Sequence, residues 1–188
     1  MKKLYLVRHG QTYFNLIGKT QGWCDSPLTE KGQAQVKKTR EWLISEGLKF
    51  SRAYTSTLGR ARESTRIISQ DLIQEVIEVD SLKELGFGRF EGESNQILPS
   101  HPFKDKLLPY GGEDEDVALA RFEGALVQIL SKEDQALVIS HGTLIREFGR
   151  KYQDLGKIPF PALSTNGSVQ IFLYNGKDFY LEDYISFE

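Results

Sequence analysis

Leu4-Tyr5-Leu6-Val7-Arg8-His9-Gly10-Gln11-Thr12 is an apolar run that stops abruptly at a cation, an imidazole and a glycine. The run reads as a short buried strand, and Gly10 lets the backbone turn directly after the histidine. His9 is therefore expected at the carboxyl end of a core strand, beside a guanidinium, which is where open α/β sheets bind their ligands. A second segment echoes the first. Val138-Ile139-Ser140-His141-Gly142 is again an apolar strand ending in His-Gly. In a parallel sheet both histidines emerge at the same edge, although they are far apart in sequence.

The intervening chain alternates strands with helices. The segment 11–27 is polar and punctuated by turn residues, and reads as a loop. Thr29 suits an N-cap and Glu30 a first helical turn, giving a helix that runs to about residue 46 and stops at Gly47. Further strands are expected at 52–56 and 76–79, with a helix over 58–72 whose apolar face uses Leu58, Ile67, Ile68 and Leu72. The segment 81–112 holds three of the six prolines and keeps no period, so it reads as an insertion or cap over the strand edge. Ala118, Phe122, Ala125 and Ile129 share one face of a helix that begins near Glu113. After the strand at 136–140 come a helix over 143–153 and a hairpin, 169–174 and 179–185, around Asn175-Gly176. The pattern predicts one α/β domain with a largely parallel sheet and antiparallel last strands.

Composition narrows the function classes. The chain has 188 residues, 39% of them hydrophobic and 27% charged, enough for one domain with a real core. A net charge of −2 argues against a general nucleic-acid binder. No stretch approaches a membrane span, and 4–7 is too short for a signal-peptide core. A single cysteine, Cys24, excludes an internal disulfide framework and suits the cytoplasm. The three histidines (His9, His101, His141) lack close-spaced partners, which argues against a zinc site, and no cofactor is expected.

The strand ends converge on one chemistry. Arg60 lies in the first turn of the helix after the strand at 52–56, so that helix start and its guanidinium face the same sheet edge as Arg8, His9 and His141. Planar guanidinium groups bind phosphate oxygens in pairs. A cation about 4 Å from a phosphate charge contributes on the order of 4 kcal/mol at an effective dielectric near 20, before desolvation. Neighbouring arginines keep an imidazole unprotonated, as a nucleophile requires. A leaving alkoxide needs a proton, and Glu84, at the start of the insertion, is the candidate general acid. Arg62, His101 and the acidic run 113–116 read as solvated surface groups, and Cys24 as a neutral thiol. Trp23 either borders the pocket or packs its loop.

Leu6-Val7-Arg8-His9-Gly10-Gln11-Thr12 with Asn15 closely resembles the signature of the histidine phosphatase superfamily, in its phosphoglycerate-mutase-like branch. The match continues in order through Gln21-Gly22-Trp23, Asp25-Ser26-Pro27-Leu28-Thr29, Arg60-Ala61, Glu84, Glu91-Gly92, Gly112-Glu113, Arg121 and Ser140-His141-Gly142, with Ile145-Arg146. It departs at Asp114, where relatives often carry serine, and at Arg89-Phe90. The resemblance implies a three-layer α/β/α fold. It also implies a phosphohistidine on His9, a phosphate held by Arg8, Arg60 and His141, and Glu84 as proton donor. Asn15 and the Gln21-Gly22 amides would line the same pocket. The expected activity is metal-independent hydrolysis of a small phosphorylated metabolite. The alternatives are a phosphoglycerate mutase and, third, a non-catalytic phosphate-binding or interaction module. No nucleic-acid or membrane partner is expected. Oligomeric state stays open, with the C-terminal hairpin edge available to a second subunit.

Overall fold

The computed structural model describes residues 1–159 and 164–187. Six strands form one sheet: β1 (Lys2–Arg8), β2 (Arg52–Thr55), β3 (Glu75–Glu78), β4 (Gln135–Ser140), β5 (Val169–Tyr174) and β6 (Phe179–Ile185), in the order β3-β2-β4-β1-β5-β6. The first four are mutually parallel, while β5 runs antiparallel to β1 and β6 antiparallel to β5. The helices are α1 (Tyr13–Leu16), α2 (Glu30–Ser45), α3 (Gly59–Ser69), α4 (Glu115–Lys132) and α5 (Gly142–Lys151).

Side-chain alternation along the central strands builds the layers. Leu4 and Leu6 of β1, with Ala136 and Val138 of β4, join one core with Phe122 of α4 and Phe148 of α5. Tyr5, Val7, Leu137 and Ile139 point the other way, into a core shared with Val36 and Leu43 of α2 and Ile67 and Ile68 of α3. A sheet covered on both faces explains why β1 and β4 are apolar at consecutive positions. Ala118, Phe122, Ala125 and Ile129 are all buried along α4.

Register sets the active edge. Arg8 pairs with Ser140, and Thr55 with Ile139, so β1, β2 and β4 end at one level. The His9 amide donates to the Ser140 carbonyl at 3.0 Å, and the Ser56 amide to Ile139 at 3.1 Å.

Local chemistry corrects several sequence expectations. The 11–27 loop contains one helical turn, because Thr12 and Asn15 cap it reciprocally. The α3 helix stops at Ser69. Asp71 takes a left-handed conformation, and Leu72 lies beyond the helix, 39% exposed, instead of on its apolar face. Asp114 caps α4 through the Val117 amide at 3.0 Å. Gly10 is required by close approach as well as by the turn: a Cβ there would strike the backbone of Gly32 at the start of α2. Gly47 (φ 65°) ends α2 as expected. The 81–112 segment forms short 3-10 turns, the first at Asp80–Leu82 and the last at Leu108–Tyr110.

Candidate active site

His9 follows β1 directly and is 3% exposed. Its Nδ1 lies 2.8 Å from the Gly10 carbonyl, which fixes the proton on that nitrogen and leaves Nε2 unprotonated. Burial, then Arg60, then Arg8, push its pKa well below the ordinary imidazole value, outweighing the opposing bond to Gly10. The neutral ring is therefore the form at physiological pH. The Gly10 amide donates to Ser64 Oγ of α3 at 3.0 Å, and Asn166 Nδ2 donates to the His9 carbonyl at 3.0 Å. The histidine backbone is thus held on two sides.

Arg60 sits in the first turn of α3, 2% exposed. Its Nε–H rests on His9 Nε2 at 3.2 Å. Its other nitrogens donate to the Cys24 carbonyl (3.1 Å), Asp25 Oδ1 (3.0 Å) and the Gly22 carbonyl (2.7 Å). Asp25 also accepts from the Gly59 and Arg60 amides, so one carboxylate caps α3 and orients the guanidinium. On the other side of the edge, Arg8 donates to the Ser164 carbonyl.

His141 follows β4, fully buried, with its ring centroid 5.2 Å from that of His9. Its Nε2 meets Ser56 Oγ at 2.7 Å. Burial, followed by Arg60 and His9, holds its pKa well below the usual value as well. Among the described residues, His141 Nδ1 and Arg8 Nε have no hydrogen-bond partner. Two buried polar atoms without partners are costly unless an anion completes them. A phosphate oxygen has the charge and size for that role.

Glu84, 5% exposed, takes the start of α5. Its Oε2 accepts from the Thr143 amide at 2.8 Å, and its Oε1 from Leu85 (2.9 Å) and Leu144 (3.2 Å). These bonds fix the carboxyl on the wall of the cavity that holds His9. That cavity, of about 300 Å³, is lined by Arg8, His9 and Glu84, by Asn15 and Gln21, and by Lys19, Asn95, Phe87, Leu98, Phe103 and Arg146. A larger hollow of about 410 Å³ touches Arg60 and Asp25 but neither His9 nor His141.

The structure thus brings together Arg8, His9, Arg60, His141 and Glu84, with Asn15 and Gln21 on the wall. Gly22 departs from the expectation. Its N–H is taken by Glu91 Oε2 at 3.0 Å and its carbonyl by Arg60, so its backbone supports the site from behind. Glu91 accepts as well from the Trp23, Cys24 and Phe87 amides, at 2.9–3.0 Å. Burial together with the Glu91 carboxylate pushes the Cys24 thiol up to about 12, so it stays neutral. Trp23 packs the loop: its indole donates to the Glu84 carbonyl at 2.9 Å. Arg62 is a surface residue paired with Glu78.

The acidic run 113–116 is not wholly solvated. Glu113 clamps Arg121 at 2.7 Å, and Arg121 donates to the Ser81, Lys83 and Glu84 carbonyls. Sequence reasoning missed the supporting roles of Asp25, Ser64, Glu91, Asn166 and this Glu113–Arg121 clamp. Their partners lie 4 to 157 residues away, most of them dozens, and no local periodicity marks such contacts.

A neutral, oriented imidazole beside the buried Arg60 guanidinium and the half-buried Arg8, at the carboxyl edge of a parallel sheet, defines a phosphate-handling site of the phosphoryl-transfer class. The chain belongs to the histidine phosphatase superfamily (branch 1), whose family model matches residues 4–186. It is 42% identical over 161 residues to a 2,3-bisphosphoglycerate-dependent phosphoglycerate mutase of Brucella ovis, covering 77% of this chain and 78% of the relative. Among solved structures it is similar to Bacillus stearothermophilus YhfR (TM-score 0.83, 29% identity, 96% of this chain and 95% of that one). It is also similar to a phosphoglycerate mutase from Bacillus anthracis str. Sterne (TM-score 0.81, 25% identity, 96% and 91%).

Proposed function

We propose that the protein hydrolyses a small phosphomonoester through a covalent phosphohistidine on His9. The observation that carries this reading is the disposition of His9: Nδ1 tied to the Gly10 carbonyl, and Nε2 free of a proton beneath the Arg60 guanidinium. A phosphate oxygen takes over the Arg60 Nε–H, while Arg8 Nε and His141 Nδ1 supply further donors. His9 Nε2 attacks phosphorus as the P–O bond to the leaving group breaks, and Glu84 gives its proton to the departing alkoxide. A water then attacks the phosphohistidine, returns a proton to Glu84 and releases inorganic phosphate. The charge needed for both steps comes from the two arginines, so the reading requires no metal.

The wall beyond the phosphate pocket favours hydrolysis of an ester with an apolar portion. Phe87, Leu98 and Phe103 line it. Every carbon of phosphoglycerate bears oxygen, and these side chains offer it nothing. A mutase reading has its own support in the names of the relatives and in Lys19 and Arg146, two further cations on the same cavity able to hold a carboxylate.

The test is incubation with p-nitrophenyl phosphate and separately with 3-phosphoglycerate. Phosphate release without isomerisation, abolished in His9→Ala and unaffected by EDTA, is expected. Isomerisation that depends on a bisphosphate primer would replace this reading with the mutase. Turnover that survives His9→Ala would remove the phosphohistidine.

A further inference from the structure

Away from the catalytic pocket, the 81–112 segment meets the two helices of one face through a compact polar cluster. His101 Nε2 lies 3.2 Å from Glu115 Oε1 of α4 and 3.2 Å from Glu147 Oε1 of α5. The three ligand atoms all fall within 4.8 Å of one another. We infer that His101, Glu115 and Glu147 form a binding site for a divalent cation of the zinc class, which fastens the insertion to the body of the protein.

Three observations support the assignment. One imidazole nitrogen carries at most one proton, yet Nε2 faces two separate carboxylate oxygens at equal distance. One hydrogen bond serves Glu115 and leaves the Glu147 oxygen facing Nε2 with no proton between them, a place that the Arg150 guanidinium flanks in this structure and that a cation would bridge directly. The two 3.2 Å separations from Nε2 also fit. A tetrahedral ion with nitrogen and oxygen ligands at about 2.0–2.1 Å separates neighbouring ligand atoms by about 3.3–3.4 Å. Finally, the glutamates are held where they stand, with side chains 7% and 11% exposed. The Lys104 amide donates to the other oxygen of Glu115 at 2.7 Å, and Arg146 Nε donates to the ligand oxygen Oε1 of Glu147 itself at 2.6 Å. One histidine and two carboxylates leave a fourth position for water, a donor set suited to zinc.

Arg150 is the competitor. Its Nη1 lies 3.2 Å from His101 Nδ1, 3.4 Å from the Nε2 that would hold the metal, and 3.3–3.4 Å from both oxygens of Glu147. It supplies positive charge to the cluster, but its side chain is 43% exposed on the last turn of α5, so leaving the cluster for solvent uncovers little buried surface. Metal on Nε2 places the imidazole proton on Nδ1, which then repels the guanidinium, so cation and Arg150 exclude each other.

The site bears on the catalytic pocket without belonging to it. Leu98 and Phe103, on either side of His101 in sequence, line that pocket, and so does Arg146, which shares Glu147 Oε1 with His101. A bound cation would hold this wall in place.

The test uses the full chain, stripped with a chelator and dialysed against Zn²⁺, with bound metal counted by mass spectrometry and the unfolding midpoint followed. About one Zn²⁺ per chain and a midpoint raised by several degrees are expected. Both should disappear in His101→Ala and in Glu147→Gln and persist in His9→Ala, which separates this site from the catalytic histidines. Arg150→Ala should bind several-fold tighter. Zn²⁺ content and midpoint shifts equal in wild type, His101→Ala and Glu147→Gln would overturn the assignment and leave the cluster as an ion pair only.

Discussion

At the scale of single residues, the site works by fixing protons. His9 keeps one on Nδ1 because the Gly10 carbonyl accepts it, and it keeps none on Nε2 because burial and two guanidinium groups oppose a second charge. In the proposed reaction Glu84 has the opposite task of delivering one. Its carboxyl is aimed by three amides, so glutamine keeps the volume and the Oε1 bonds to Leu85 and Leu144, sets its NH2 against the Thr143 N–H, and removes the transferable proton. Glu84→Gln should lower kcat by about 100-fold or more on an alkyl phosphate, whose alkoxide must be protonated. The loss should be much smaller on p-nitrophenyl phosphate, which leaves as a stable phenolate. Steady-state kinetics on the two substrates checks this, and equal losses would assign Glu84 a positioning role instead.

At the scale of elements, the groups gathered at the site depend on helix starts and on one loop. The first turn of α3 presents Arg60, and the start of α5 holds Glu84. The loop 21–24 wraps the Arg60 guanidinium with its carbonyls, and Glu91 holds that loop through the Gly22, Trp23 and Cys24 amides. Burial raises the Glu91 carboxyl, but the Cys24 thiol and the surrounding amides outweigh it and the net shift is downward. A carboxyl depressed on folding adds stability above its unfolded value and loses it as pH falls through the folded one, so the loop should loosen in acid below about pH 4.5. Glu91→Ala leaves four amides without their acceptor and should cost about 2 kcal/mol or more in urea denaturation. It should also raise KM for a phosphomonoester, because the carbonyls that orient Arg60 lose their anchor. An unchanged KM would place Arg60 under the control of Asp25 alone.

At the scale of the whole molecule, the sheet carries two cores and one active edge, and the most deeply buried titratable groups lie at that edge. His9 and His141 both have folded pKa values well below 6.5, with burial the largest cause. The unfolded chain therefore binds protons that the folded one refuses once pH drops below about 6.5. Stability should be full above that value and fall by on the order of 1 kcal/mol per pH unit per histidine beneath it. Urea midpoints between pH 7.5 and 5.5 should show this slope, and His141→Asn should reduce it by about one proton. A wild-type midpoint flat across that window would contradict the buried neutral pair. Among the described residues no helix is long and apolar enough to cross a membrane.

The sequence by itself determined the strand-helix order, the two His-Gly strand ends and the hairpin around Asn175-Gly176. These rest on local rules: apolar periodicity, capping and turn chemistry act between residues a few positions apart. It also pointed to Arg8, His9, Arg60, His141 and Glu84, because each ends a strand, opens a helix or begins the insertion. Tertiary structure alone decided what holds them. Asp25 on Arg60, Glu91 on the 21–24 loop and Asn166 on His9 are contacts between segments 35 to 157 residues apart. The same holds for His101, which lacks a neighbouring ligand in sequence and gains two glutamates 14 and 46 residues away only when the insertion folds against α4 and α5. Hydrogen-bond and ion-pair partners are chosen by proximity in space, and the register of the parallel sheet, Arg8 opposite Ser140, sets that proximity.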